Sequence, residues 1–160
     1  MNLSGLAAVV LIGAFPVLQD PTGQGPAAAL ARAEAQWQSR RPKSYKFGVI
    51  LSCFCLPKGI SFRVVDGKPQ LPRGADASTQ RFHESWGTVE LLFARIRRVI
   101  DNGGHRVVVR YHPELGYPIW ADLDPRRNVI DDELFFRVSG FQKLDAPGQE
   151  RLFSAPPGRR

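Results

Sequence analysis

The sequence has few of the residues, and none of the short motifs, by which common enzyme classes are recognised. Only two of its 160 residues are cysteines, and its three histidines lack the spacing of a metal site. It contains no Gly-x-Ser-x-Gly elbow, no phosphate-binding glycine loop and no His-Glu-x-x-His helix. We therefore expect a protein that is not an enzyme and that holds no cofactor.

The chain also lacks an apolar run long enough to span a bilayer. The longest run, residues 6–18, is broken by Gly13 and Pro16 and has the length of the apolar core of a signal peptide. No Lys or Arg precedes it, and no Ala-x-Ala cleavage site follows it. We interpret residues 1–26 as a signal peptide and linker, so we expect the mature protein to be extracytoplasmic, periplasmic or secreted, and not transmembrane.

Positive charge is not concentrated in any one segment. The formal net charge is +7, but the arginines occur in separated pairs such as Arg40-Arg41, Arg97-Arg98 and Arg126-Arg127. A nucleic-acid-binding protein gathers its cations on one face and interleaves aromatic residues among them. We therefore interpret the charge as serving solubility and expect no nucleic-acid partner.

Hydrophobic periodicity predicts two helices. Residues 27–41 place Leu30, Ala33 and Trp37 on one stripe, and a second helix begins after the N-cap Thr88 and ends at Asn102-Gly103-Gly104. Residues 72–86 between them are polar and are predicted to form a loop. Alternation predicts strands at 45–55, 60–65, 68–71, 105–112, 117–123 and 133–141, with a two-residue hairpin turn at Asp66-Gly67.

These elements predict one α+β domain at residues 27–145. Strands joined by short turns run antiparallel, and the apolar stripes of the helices need a sheet to cover them. We expect a two-layer sandwich in which an antiparallel sheet of about five or six strands packs on two helices, in the order α-β-β(-β)-α-β-β-β. The tail at 146–160 is rich in Pro, Gly and Arg and is expected to be disordered, and the protein is expected to be a monomer.

The segment from Tyr111 to Asp124 is interpreted as the turn and second strand of a hairpin. Pairing Tyr111 with Tyr117 directs Val107, Val109, Ile119 and Ala121 to the core, and it places Asp122 opposite Arg106. Pro113 and Gly116 suit the turn. On the opposite face, Trp120 is the leading candidate for contact with a partner, with Trp86 and Phe54 as further candidates.

Five acidic residues lie at the end of this hairpin segment and in the residues after it. The first interpretation is structural, with Asp122 pairing with Arg106 and the others ending turns or beginning a strand. The second is a cation site, which would suit a calcium-stabilised structural domain, although Arg126-Arg127 would repel the ion. The candidate ligands are Asp122, Asp124, Asp131, Asp132 and Glu133.

The two cysteines, Cys53 and Cys55, are separated by one residue. In a regular strand their side chains point the same way but stand too far apart for an unstrained disulfide, so a bridge needs a bulge at Phe54. The interpretations are a structural disulfide or half-buried thiol pair, a redox pair of a thiol-redox protein, and a metal site shared with a histidine.

The chain resembles a bacterial family of exported proteins and lipoproteins, the domain of unknown function 6174. The resemblance spans about residues 28–144 and is carried by Tyr111-x5-Tyr117-Pro118, Asp124, Asp131-Asp132-Glu133, Trp37, Tyr45 and Cys53-x-Cys55. It implies export and a small α+β fold, and it implies no reaction. We therefore expect a non-enzymatic binding or interaction module of the cell envelope, whose partner is an unidentified protein or envelope component.

Overall fold

The computed structural model describes residues 25–52, 58–127, 129 and 132–144. Within these residues the class is α+β, with three helices and one six-stranded antiparallel sheet in the order β3-β2-β1-β6-β5-β4. The predicted signal peptide and C-terminal tail lie outside the described residues, apart from Gly25 and Pro26. The elements are α1 (Pro26–Arg40), β1 (Tyr45–Ser52), β2 (Lys58–Val65), β3 (Lys68–Gln70), α2 (Ala77–Trp86), α3 (Val89–Asp101), β4 (Arg106–Tyr111), β5 (Pro118–Asp124) and β6 (Leu134–Lys143).

The first and third helices form where the sequence predicts them. Helix α1 begins with Pro26, whose fixed φ suits a first turn, and it buries the predicted stripe of Leu30, Ala33 and Trp37. Helix α3 begins after Thr88, whose hydroxyl accepts a hydrogen bond from the backbone N–H of Leu91 at 3.3 Å. None of the described helices is long and apolar enough to cross a membrane.

Helix α2 corrects the sequence prediction, which assigned residues 72–86 to a loop and counted two helices. Asp76 caps it by accepting from the Thr79 N–H at 2.7 Å, and the bonds from the Thr79 amide and the Ser78 hydroxyl lower the pKa of Asp76 to about 2. His83 and Trp86 form its buried face. The helix carries too few apolar residues for its 3.6-residue period to be visible, so packing of this short face stabilises it.

The strands and the three helices together form the core. Alternate residues on the strands are buried there together with the inward faces of the three helices, in one cluster. Helix α3 contacts β4 and β5, and α1 contacts β4. Asp66 and Gly67 both have positive φ (50° and 76°), as the predicted two-residue turn between β2 and β3 requires. The buried strand residues include Tyr45, Phe47, Val49, Phe62, Val64, Ala121, Leu123, Phe136 and Val138.

The β4–β5 hairpin keeps its predicted faces in a different register. Val109 pairs with Ala121 and Arg106 with Asp124, two residues away from the predicted partners. Tyr111 pairs with Pro118, so the turn is one residue longer than expected, and an irregularity beside Arg110 adds the second residue. A shift of two residues leaves every side chain on its original face, which is why the predicted core residues remain correct.

The turn of this hairpin is held against helix α1. The Nδ1 atom of His112 accepts from the backbone N–H groups of Glu114 and Leu115, both at 3.2 Å. Gly116 has φ +80°, as predicted, and a Cβ atom there would lie 2.4 Å from the carbonyl oxygen of Ala33. Gln36 also donates to the Pro113 carbonyl at 2.6 Å. The turn therefore serves as a docking point for the helix.

Candidate functional site

The outward face of β4, β5 and β6 carries an aromatic centre flanked by arginines. The register places Trp120 between Arg110 on β4 and Arg137 on β6. The next row along the strands contains Val108, Asp122 and Phe135. We call Arg106, Val108, Arg110, Trp120, Asp122, Phe135 and Arg137 the outer patch.

The centre of the outer patch is apolar and open to solvent. The Trp120 ring is half-buried and meets the Phe135 ring edge to face, with centroids 5.3 Å apart. On the neighbouring strand Val108 has 41% of its surface exposed. Trp120, predicted as the leading partner-binding residue, therefore lies on an accessible surface with two apolar neighbours.

Of the three arginines in the outer patch, one forms an ion pair with another described residue and two do not. Arg106 donates to Asp122 at 3.0 Å, so the predicted pair forms, although diagonally and not between directly opposite residues. Arg110 and Arg137 are exposed, and neither takes part in an ion pair with another described residue. The outer patch thus offers two guanidinium groups beside an indole ring.

Two of the acidic residues predicted as cation ligands, Asp124 and Asp132, accept hydrogen bonds from Arg126. Asp124 is 8% exposed and accepts from the Arg126 backbone N–H at 3.1 Å, as expected for an aspartate that ends a turn. Asp132 accepts from the Arg126 Nε–H at 2.8 Å. Asp131 lies outside the described residues, and Glu133 is exposed. Among the residues that the structure describes, no three His, Cys, Asp or Glu side chains are placed to hold a metal ion.

Cys53, Phe54 and Cys55 lie outside the described residues, so the disulfide, redox and metal interpretations stay predictions. The described chain stops at Ser52 and resumes at Lys58, which pairs with Leu51.

Trp86 is placed away from the surface. Its side chain is only 6% exposed and packs against the ring of Phe136, and the Arg95 guanidinium lies 3.7 Å from its ring centroid. The indole belongs to the buried face of α2, the helix that the sequence did not reveal. In this fold Trp86 lies in the core and not on the exposed surface where it was expected.

Sequence reasoning missed a polar network around Glu90. One of its carboxylate oxygens accepts from the Trp37 indole N–H at 2.9 Å and from Arg41 at 2.7 Å. The Tyr45 hydroxyl donates to the other oxygen at 3.4 Å and accepts from the Val89 N–H at 3.2 Å. The network connects α1, β1 and α3.

The pKa values in this network indicate a structural role. Burial works to raise the pKa of Glu90, but the donors Trp37 and Arg41 outweigh it, so this pKa lies below its ordinary value. Burial, followed by the charge of Glu90, raises the pKa of Tyr45. Glu90 therefore stays ionised and Tyr45 neutral near pH 7, which suits a permanent hydrogen bond and not proton transfer. The signal in the sequence was the pair Trp37 and Tyr45, two core residues with polar tips that need partners.

A shallow cleft of about 460 Å³ lies across β1, β2 and β6. Its polar lining includes Lys46, Arg63 and Gln70. Gly48 also lines the cleft, and a Cβ atom added there would lie 2.9 Å from the Ser139 hydroxyl oxygen. The single histidine in its lining, His83, contacts the Thr79 carbonyl through Nδ1. The cleft therefore lacks a paired acid and base among its described residues, and we assign it no chemistry.

Comparison with known proteins identifies a family and no activity. No curated protein and no solved structure matches the chain. The model of one family, described as a family of unknown function (DUF6174), matches residues 29–143, which include both the outer patch and the Glu90 network. The match extends over most of the chain and agrees with the resemblance seen in the sequence. The protein therefore belongs to the DUF6174 family.

Proposed function

We propose that this protein is a non-enzymatic binding module of the cell envelope and that the outer patch contacts its partner. The observation that carries the proposal is the half-buried Trp120 between Arg110 and Arg137, two exposed arginines without an ion-pair partner among the described residues. Tryptophan and arginine are the residues that most often dominate binding energy at protein interfaces. Both types here lie in adjacent positions on a rigid sheet.

The proposal takes the fold as a two-layer sandwich with the helices on one face of the sheet. That arrangement leaves the other face for binding, and the exposure of Arg106, Val108 and Arg110 supports it. Because Trp120 meets Phe135 and not a helix, its removal leaves the core contacts of β5 in place. Binding and folding can therefore be separated by mutation. Export to the envelope and a monomeric state are part of the same proposal.

The test is affinity capture from the native envelope fraction with matched baits. The wild-type protein is compared with Trp120→Ala and with Leu71→Ala, which removes a 49% exposed hydrophobic side chain outside the outer patch. We expect Leu71→Ala to retain the partner and Trp120→Ala to lose at least about tenfold in binding, as for a hot-spot residue. Circular dichroism and thermal unfolding must show that both variants remain folded.

Two results would overturn the proposal. One is a partner captured equally by wild type and by folded Trp120→Ala, which would place the binding surface elsewhere. The other is a specific covalent or catalytic product formed with the partner, which would make the protein an enzyme.

A further inference from the structure

The two edges of the sheet differ in how well they are protected against pairing with another chain. Strand β3 forms one edge, with only three residues, of which Pro69 has no backbone N–H to donate. Strand β4 forms the other edge with six residues, Arg-Val-Val-Val-Arg-Tyr, of which the three valines and the tyrosine favour extended structure. It has neither of the two features that protect β3, and its own protection is limited to two arginines and the irregularity beside Arg110.

The free side of β4 is not used by the described parts of the chain. Its backbone pairs with β5, and no other backbone hydrogen bond connects residues 106–111 to the described residues. The adjoining backbone bonds involve only Gly104 and His112, beyond its two ends. Every second residue of β4 therefore directs its N–H and C=O groups away from the sheet without a described backbone partner.

From these features we infer that β4 binds an extended, acidic segment of the partner protein by strand addition. The inference rests on the proposed function and names the partner's chemistry. An added strand would place alternate side chains beside Arg106, Val108 and Arg110, which share the outward face. Acidic side chains opposite the two arginines, with an apolar one between them, match that row in charge and polarity.

Charge also argues against a second copy of this chain as the occupant. If two β4 strands paired antiparallel about Val108, so that the outward faces of the two copies coincided, Arg106 of each copy would face Arg110 of the other. Like charges directly opposite each other destabilise a strand pair. An acidic strand turns the same two positions into favourable pairs.

The experiment uses fluorescently labelled peptides and the whole protein. The test peptide is Thr-Glu-Thr-Val-Thr-Glu-Thr, which puts both acids and the valine on one face of a strand. Thr-Glu-Thr-Val-Glu-Thr-Thr has the same composition and charge but splits the acids between faces. A third peptide replaces the central Val by Pro, and a fourth replaces both Glu by Lys. Binding is measured by anisotropy, and hydrogen exchange is followed at residues 106–111.

We expect the first peptide to bind best and to slow hydrogen exchange in β4, because strand addition hydrogen-bonds its outward N–H groups. The double variant Arg106→Glu and Arg110→Glu is expected to bind the first peptide about tenfold more weakly and to prefer the lysine peptide, since two cross-strand pairs change sign. Both arginines are exposed, but Arg106→Glu puts a second acid beside Asp122, so thermal unfolding must first show that the variant is folded. The double variant Arg73→Glu and Arg81→Glu, at two exposed residues outside β4, makes the same change in net charge and should change neither preference.

Five outcomes would overturn the inference. Equal binding of the first and second peptides, or tight binding of the proline peptide, would show attraction of charge without strand addition. Unchanged exchange in β4 would place the peptide elsewhere. Tighter binding of a single-stranded oligonucleotide than of the acidic peptide, with the same dependence on Arg106 and Arg110, would make the partner a nucleic acid. If the peptides fail while envelope capture still depends on Trp120, the proposed function stands and strand addition does not.

Discussion

Gly116 is the position at which adding a single methyl group should destabilise this fold most. Its φ of +80° belongs to the left-handed region, where an L side chain costs about 1–2 kcal/mol. In Gly116→Ala the new Cβ would lie 2.4 Å from the Ala33 carbonyl oxygen and 3.0 Å from the Trp37 backbone nitrogen. Both neighbouring atoms are helix backbone and cannot rotate away. Helix α1 must therefore shift relative to the hairpin turn.

The cost of that shift adds to the cost of the backbone conformation. Moving α1 displaces Trp37, which is fully buried and contacts the rings of Tyr45 and Tyr117. Overpacking of this kind costs about 1–3 kcal/mol. Alanine also reduces the conformational entropy of the unfolded chain, and this effect adds about 0.4–1 kcal/mol to the free energy of unfolding. We expect Gly116→Ala to lower the free energy of unfolding by about 2–4 kcal/mol.

The measurement is urea denaturation of Gly116→Ala beside Gly103→Ala. Gly103 has φ +70°, but a Cβ atom added there would meet nothing within 4 Å, so this variant reports the backbone cost alone. We expect this control to lose about 1 kcal/mol, with an unchanged dependence on urea concentration. If the two variants lose the same free energy to within about 0.5 kcal/mol, the close approach of α1 to the turn contributes nothing and the reasoning fails.

Two further predictions concern polar groups of α3. Glu90→Gln keeps an acceptor for the Trp37 indole but removes the charge that Arg41 contacts, so we expect a loss of about 1 kcal/mol at neutral pH, allowing for solvent screening of this partly exposed group. Because the pKa of Glu90 is lowered in the folded state, its charge stabilises the protein above the unfolded pKa, and this contribution is lost as the pH falls through the folded pKa. Urea denaturation should therefore show a smaller difference between wild type and Glu90→Gln at acidic pH, and a constant difference would contradict the assignment. Thr88→Ala should lose about 1 kcal/mol and Thr88→Ser much less, because serine keeps the hydroxyl that caps α3; equal losses would show that the cap does not contribute.

Local sequence signals predicted most of the elements but little of how they meet. Thr88 caps a helix and Asp66-Gly67 turns a hairpin through their own short-range chemistry, so both were readable from the sequence. The register of β4 against β5 was not, because it depends on a bulge beside Arg110 whose cost is set by the neighbouring strand and helix. The side chains were still assigned to the correct faces because the error in the predicted register was two residues, an even number.

The candidate site shows the same division. Trp120 was predicted to face outward because alternation along β5 is a local property. Trp86 was offered as a second surface aromatic, and it is buried because α2 packs on the sheet, where Phe82 stacks on Phe62 and Trp86 meets Phe136. The Glu90 network joins Trp37 to a residue 53 positions away, a separation over which no sequence pattern carries information.

The sequence by itself determined the α+β class, the buried stripes of α1 and α3 and membership of the DUF6174 family, because these follow from periodicity, caps and local motifs. Only the tertiary structure decided that helix α1 packs directly against Gly116. The same is true of the contact between Arg126 and Asp132 and of the placement of Arg110 and Arg137 on either side of Trp120. The physical reason is that each of these depends on a distance between elements. Such distances are set when the whole core packs, since side chains far apart in the chain must then fill the same volume.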